Sequence, residues 1–130
     1  PNIQCWSDKQ NPLADYLESL DKVDKFDIEL VLPGHRRLVE DYHGRIEELK
    51  QHHHHRLDEI HSILEKGAMN AYEIASHMEW DINCDTWEEF PMAQKWFATG
   101  EAISHLRYLE EKKTIARQVE GEIIKFVKIK

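Results

Sequence analysis

A histidine closing an apolar run, a block of four histidines, a set of aromatic rings and a basic tail are the residues of this chain whose types and spacing could do chemistry. In Val31-Leu32-Pro33-Gly34-His35, the residues Ile28, Leu30, Val31 and Leu32 read as a short buried strand. Pro33-Gly34 ends it and lifts His35 clear at the strand tip. An imidazole mounted there suits metal ligation, because a strand end on a rigid sheet does not drift. The competing reading is a loop histidine bonded to its surroundings. In His52-His53-His54-His55, helical spacing puts His54, Asp58 and His61 on one face, a set able to hold an adventitious metal. Equally, these are exposed helix positions, with His54–Asp58 and His55–Glu59 as weak i, i+4 pairs. Trp80, Trp87, Phe90 and Trp96 make an aromatic cluster around a loop, for packing between helices or for contact with a substrate or docking partner. Lys112, Lys113, Arg117 and Lys125 form a modest basic tail that could touch nucleic acid. Cys84 has no neighbouring base, which argues against a nucleophilic role.

The elements that must position these groups follow from periodicity. Asn11-Pro12 starts a helix carrying Leu13, Tyr16, Leu17 and Leu20 to about Lys22. An acidic turn leads to the strand at Ile28–Leu32. One helix and one strand cannot bury a core alone, so residues 1–42 read as the end of a larger α/β domain. A long helix runs from about His43 to Lys66, with Ile46, Leu49, His53, Leu57, Ile60 and Leu64 as its inner stripe and Arg56 among the residues off it. Gly67 stops that helix. Asn70 and Glu73 make a capping box for a second one, and Pro91 opens a third. The third helix, Met92 to Lys113, should face inward through Ala93, Trp96, Phe97, Gly100, Ile103, Leu106 and Leu109. Gly100, costly in mid-helix, is expected to serve close packing. After Lys113 the period changes to two, and Glu120-Gly121 turns a β-hairpin. The expected fold class is α+β, mainly α: a partial α/β segment, then three helices and a hairpin in winged-helix order over 43–130.

The chain has 130 residues, 41% of them hydrophobic and 32% charged, with a formal net charge of −8. That length allows one domain, or a small domain plus a piece of another. The negative charge argues against nonspecific nucleic-acid binding and against an anionic membrane surface. No apolar run approaches the roughly 20 residues that span a bilayer, and no signal sequence opens the chain. Two cysteines, Cys5 and Cys84, are too few for a disulfide framework, so a cytoplasmic setting is expected. A start at Pro1 without Met reads as a cut piece or a processed chain.

Leu32-Pro33-Gly34-His35, Ala71-Tyr72-Glu73-Ile74-Ala75, and Phe97-Ala98, Glu101-Ala102 and His105-Leu106 together resemble the C-terminal part of a metallo-β-lactamase-superfamily hydrolase with an appended winged-helix domain. The resemblance implies one or two metal ions, usually zinc, most of whose ligands come from an upstream His-x-His-x-Asp-His motif that this chain lacks. It carries over His35 alone as a metal ligand. Many relatives have Gly after this histidine, where Arg36 and Arg37 stand here. The implied reaction is metal-assisted hydrolysis, in which the metal makes hydroxide available near neutral pH. A stable zinc site needs three or four protein ligands, so this fragment alone is expected to be inactive. Arg36 and Trp87 are candidate substrate contacts. The implied partners are a missing N-terminal catalytic domain, a small-molecule or RNA substrate and a second copy in a homodimer, with no membrane. The alternative function is a noncatalytic winged-helix module that binds nucleic acid or protein.

Overall fold

The fold was derived from a computed structural model, which describes residues 3–34 and 37–129. Helix α1, Pro12–Asp24, begins where the side chain of Asn11 accepts the amide of Ala14 and Pro12 fills the first turn. It buries Leu13 and Leu20. The strand expected at Ile28–Leu32 does not form. Among the described residues Val31 pairs only with Val39, through backbone bonds of 3.0 and 3.2 Å. Leu30, Leu32 and Leu38 are exposed, Leu32 by 75%. The physical reason is that a strand needs neighbours to pair its backbone along its length and cover both faces, and among the described residues this run finds one bridge to Val39 and a partial cover from Leu20, Tyr42 and Ile46.

Helix α2, Tyr42–Leu64, is capped by Asp41, whose carboxylate accepts the amide of Gly44. Its stripe buries Ile46, His53, Leu57, Ile60 and Leu64, as the spacing requires. Arg56 departs from expectation: it is buried as well, because it has partners within the protein. Gly67 follows at φ 130°, a conformation open to glycine. A two-residue strand that periodicity did not reveal, β1 (Met69–Asn70), leads into α3 (Ala71–His77). Asn70 and Glu73 cap α3 reciprocally: Asn70 Oδ1 accepts the Glu73 amide at 2.8 Å, and Asn70 Nδ2 donates to Glu73 Oε1 at 2.7 Å.

After a loop with one 3₁₀ turn at Trp87–Glu89 comes α4, Met92–Glu111. Its inner face departs in part from the expected one. The buried positions are Ala98, Gly100, Glu101, Ala102, Ser104, His105, Leu106 and Leu109, so Gly100, Leu106 and Leu109 face inward as expected, whereas Ala93, Trp96 and Phe97 are exposed. Only from Ala98 onward does α4 meet the core; its first turns carry Trp96 against Trp6 of the N-terminal segment. Strands β2 (Ile115–Glu120) and β3 (Ile123–Lys128) form the expected hairpin, with Gly121 at φ 65° in its two-residue turn. The antiparallel sheet has the order β1-β3-β2. One core gathers Leu57 and Ile60 of α2, Ile74 of α3, Leu106 of α4, Ile115 and Phe126 of the sheet, and also Ile3 and Leu13. It therefore draws on residues from both sides of position 42.

Candidate functional site

The loop that carries the proposed metal ligand is bounded by the Val31–Val39 bridge and by Asp41 at the start of α2. His35 and Arg36, the residues on which the metal and one substrate contact were placed, lie outside the described residues. Beside that loop, Arg37, Leu38, Val39, Asp41, Arg45 and Glu48 line an open hollow of about 520 Å³. Among the described residues, no group of three or more His, Cys, Asp and Glu side chains could hold a metal ion. His54, Asp58 and His61 therefore do not form a site, and His61 Nε2 lies instead 3.3 Å from the hydroxyl of Thr114. Among the described residues, no helix is long and apolar enough to cross a membrane.

The histidine block divides. His52, His54 and His55 are exposed on α2, while His53 is fully buried. His53 Nδ1 lies 3.1 Å from Nε2 of the equally buried His105 on α4. The bonding fixes both tautomers. The Glu101 carbonyl can only accept, so His105 Nδ1 carries the proton that reaches it at 2.8 Å. His105 Nε2 then accepts from His53 Nδ1–H, and His53 Nε2 is left buried with no partner among the described residues. Burial lowers the pKa of His53 to about 3, with like-charge repulsion from His105 adding to it. Burial likewise lowers that of His105 to about 4, against the opposing hydrogen bond to Glu101. Both rings are neutral at pH 7. Ser104 Oγ lies 2.7 Å from the Ile3 and Glu101 carbonyls and so ties the N-terminal segment to this cluster.

Arg56 closes the cluster on the outer side. Its guanidinium lies 3.6 Å from the Glu101 carboxylate, donates to the Glu79 carbonyl at 3.2 Å, and stacks 4.3 Å over the Trp80 ring. Burial pushes the Glu101 carboxyl up, and Arg56 counteracts it. Sequence reasoning placed His53 on the inner stripe but did not find its partner. The available signal was a histidine inside the apolar face of each of two helices.

The aromatic set is likewise divided. Trp87 is half-buried between Tyr72 and Phe90, with ring centroids at 5.4 and 5.1 Å. Trp80 packs under Arg56 and donates its indole N–H to the Ala75 carbonyl at 2.8 Å. Trp96 stacks on Trp6 at 4.9 Å with the planes 13° apart. Trp6 was not singled out from sequence. The basic tail does not converge on one patch. Arg117 is gripped by Glu110 at 2.7 Å and Asp8 at 3.1 Å, and Lys125 lies 3.9 Å from Glu120. Lys112 and Lys113 are exposed at the end of α4, with Lys112 over the Tyr108 ring.

Comparison with known proteins extends this picture. The family model of the metallo-beta-lactamase-like C-terminal domain matches residues 57–129. A probable metallo-hydrolase of Bacillus subtilis (strain 168), YqjP, is 23% identical over 125 residues, covering 94% of this chain and 36% of that protein. The crystal structure of a beta-lactamase domain protein from Burkholderia ambifaria superposes with a TM-score of 0.86 at 30% identity, over 98% of this chain and 37% of that one. A metallo-beta-lactamase family protein from Thermus thermophilus gives a TM-score of 0.78 at 28% identity, over 99% of this chain and 38% of that one. The chain thus spans little more than a third of each of these relatives. With more than half of its residues inside the family match, the chain belongs to the metallo-beta-lactamase-like C-terminal domain family.

Proposed function

We propose that this chain is the C-terminal portion of a zinc-dependent hydrolase, that His35 supplies one metal ligand in the whole protein, and that residues 43–130 are a winged-helix domain shaping access to the substrate. The observation that carries the reading is the likeness to the Burkholderia beta-lactamase domain protein along 98% of the chain. The exposed apolar residues Phe26, Leu30, Leu32 and Leu38 support it, since a neighbouring sheet would cover them. The element order α2-β1-α3-α4-β2-β3 supports the winged-helix assignment.

The described residues do not by themselves fit a metal centre. A zinc site takes three or four protein donors, so the remaining ligands must come from elsewhere in the whole protein and this chain alone is inactive. Cys5 and Cys84 are free thiols, in keeping with a cytoplasmic setting. The test is zinc content and lactam, thioester, lactone and phosphodiester hydrolysis by the full-length protein and its His35→Ala variant. The variant should lose bound zinc together with activity. Unchanged zinc and unchanged turnover in His35→Ala would reject the assignment.

A further inference from the structure

On the side of α4 turned away from the histidine pair, Trp6, Tyr72, Phe90, Met92, Lys95, Trp96 and Thr99 line an open cleft of about 580 Å³. Its volume lies in the range of small-molecule sites. The walls are aromatic and remain accessible: Trp6 and Trp96 are each 51% exposed, and Met92 on the rim is 86% exposed. Such large apolar side chains gathered on one face of a chain with a net charge of −8 call for an occupant. The cleft is built rather than incidental. The Trp6 indole lies flat on α4 only because residue 100 is glycine: a Cβ there would come within 2.8–2.9 Å of the ring. The Cys5 amide fixes the segment by donating to the Gly100 carbonyl at 3.1 Å. Trp6 also walls a second, mixed hollow of about 290 Å³, where Ile103, Ile124 and Phe126 meet the Asp8–Arg117 ion pair, so the apolar cleft lies on the Trp96 side of the ring.

Lys95 is the one charged residue of the lining. Its ammonium reaches only the Glu88 carbonyl at 3.5 Å and the face of Trp87 at 6.0 Å, and it makes no ion pair among the described residues. We infer that the Trp6–Trp96 cleft binds a free amphiphilic carboxylate: an apolar body held by the indoles, Tyr72 and Phe90, and an anionic head paired with Lys95. A single ammonium matches a monovalent head. A polyanion would be opposed by Glu88 and Glu89 of the 3₁₀ turn, whose Glu88 carbonyl lies 3.5 Å from the Lys95 ammonium. The inference does not depend on the metal centre.

The test titrates the full-length protein, with this chain beside it, with dodecanoate below its micelle concentration, read by tryptophan fluorescence and calorimetry, with dodecanol as the uncharged match. Binding by the chain but not by the full-length protein overturns the proposal, since the cleft is then covered by the rest of the protein. Dodecanoate should bind saturably at one site. Trp96→Ala should weaken it about tenfold. Lys95→Met should weaken dodecanoate roughly fivefold and leave dodecanol unchanged. Met92→Glu, at the exposed rim, should weaken dodecanoate without touching the core. Each variant is checked by far-UV circular dichroism and thermal unfolding. Absence of saturable binding, or binding insensitive to both Trp96→Ala and Met92→Glu, overturns the proposal. Self-association in the ultracentrifuge that Trp96→Ala abolishes and dodecanoate does not compete with also overturns it, since the cleft is then filled by a second copy.

Discussion

The His53–His105 pair makes this fold sensitive to mild acid, and the size of the effect follows from the burial of the rings. A histidine in the unfolded chain titrates near 6.5, whereas folded His105 titrates at about 4 and His53 at about 3. Below pH 6.5 the unfolded state therefore binds protons that the folded state refuses. Stability is fully present above that pH and is lost as pH falls toward the folded values. At pH 5, His105 alone removes roughly 2 kcal/mol, a sizeable part of the 5–15 kcal/mol typical of a domain. His53 acts in the same direction, and the two rings cannot both charge across a shared 3.1 Å contact. The groups facing the pair are Arg56 and His52 on α2, Glu101 on α4 and Tyr16 on α1. Glu101, with its carboxyl raised by burial, takes up a proton more readily when folded, so it opposes the loss in part. The clean measurement is a comparison of wild type with the double variant His53→Leu/His105→Leu in urea at pH 7 and pH 5. Replacing both partners by apolar groups of similar size is nearly neutral at pH 7. At pH 5 the double variant should be the more stable chain by about 2 kcal/mol or more, because His52, His61 and Glu101 titrate in both proteins and cancel. Equal loss of stability between pH 7 and pH 5 in the two proteins would refute the reasoning.

Two further outcomes concern local structure. Gly100→Ala gains about 1 kcal/mol of helix propensity but drives a methyl into the Trp6 ring. Trp6 is half exposed and can swing away, so thermal stability should change little while the stacked Trp6–Trp96 pair loses its exciton signal in circular dichroism. An intact signal would show that the ring does not rest on Gly100. Asn70→Ala removes both hydrogen bonds of the α3 cap and should lower stability by about 1 kcal/mol, read as a drop of a few degrees in Tm. An unchanged Tm would mean that the bond between the Asn70 side chain and the Glu73 amide contributes nothing.

What could be read from the sequence was whatever a few neighbouring residues decide. Asn11-Pro12, the Asn70/Glu73 box and the turn after Glu120 gave correct element ends, because a cap or a two-residue turn is settled within one turn of chain. The stripe of α2 was legible for the same reason, down to the buried His53. What failed depends on distant partners. Ile28–Leu32 has the composition of a strand, but a strand exists only beside another, and among the described residues one bridge to Val39 is all it finds. The first turns of α4 were misplaced inward, though Gly100, Leu106 and Leu109 were not, because Trp96 and Phe97 look like core residues, while the ring that stacks on Trp96 arrives from Trp6 at the other end of the chain. Arg56 reads as a surface residue until Glu101, Glu79 and Trp80 are brought around it. The metal ligation expected at His35 falls outside the described residues, which hold no group of three or more His, Cys, Asp and Glu side chains able to bind a metal ion.

The same long-range contacts bear on whether residues 43–130 can stand alone. Periodicity places a seam between 42 and 43, but the contacts run across it. Leu13 is fully buried and Ile3 nearly so, in the core formed by α2, α3 and α4. The Ile3 carbonyl accepts from the fully buried Ser104, and the Cys5 amide is bonded to the Gly100 carbonyl. A fragment beginning at Asp41 keeps the N-cap of α2 yet exposes the apolar surfaces that Ile3 and Leu13 cover. Each buried leucine or isoleucine contributes roughly 1.5–3 kcal/mol, so losing two removes about 3–6 kcal/mol before the severed hydrogen bonds are counted. Against a typical stability of 5–15 kcal/mol, the fragment should unfold at much lower urea and bind a hydrophobic dye at neutral pH. Adding residues 1–40 as a separate peptide should restore part of the lost stability, in proportion to its concentration. A fragment 41–130 with the urea midpoint of the whole chain would show that the N-terminal segment only lies on a finished domain. Any winged-helix unit would then be energetically independent of what precedes it.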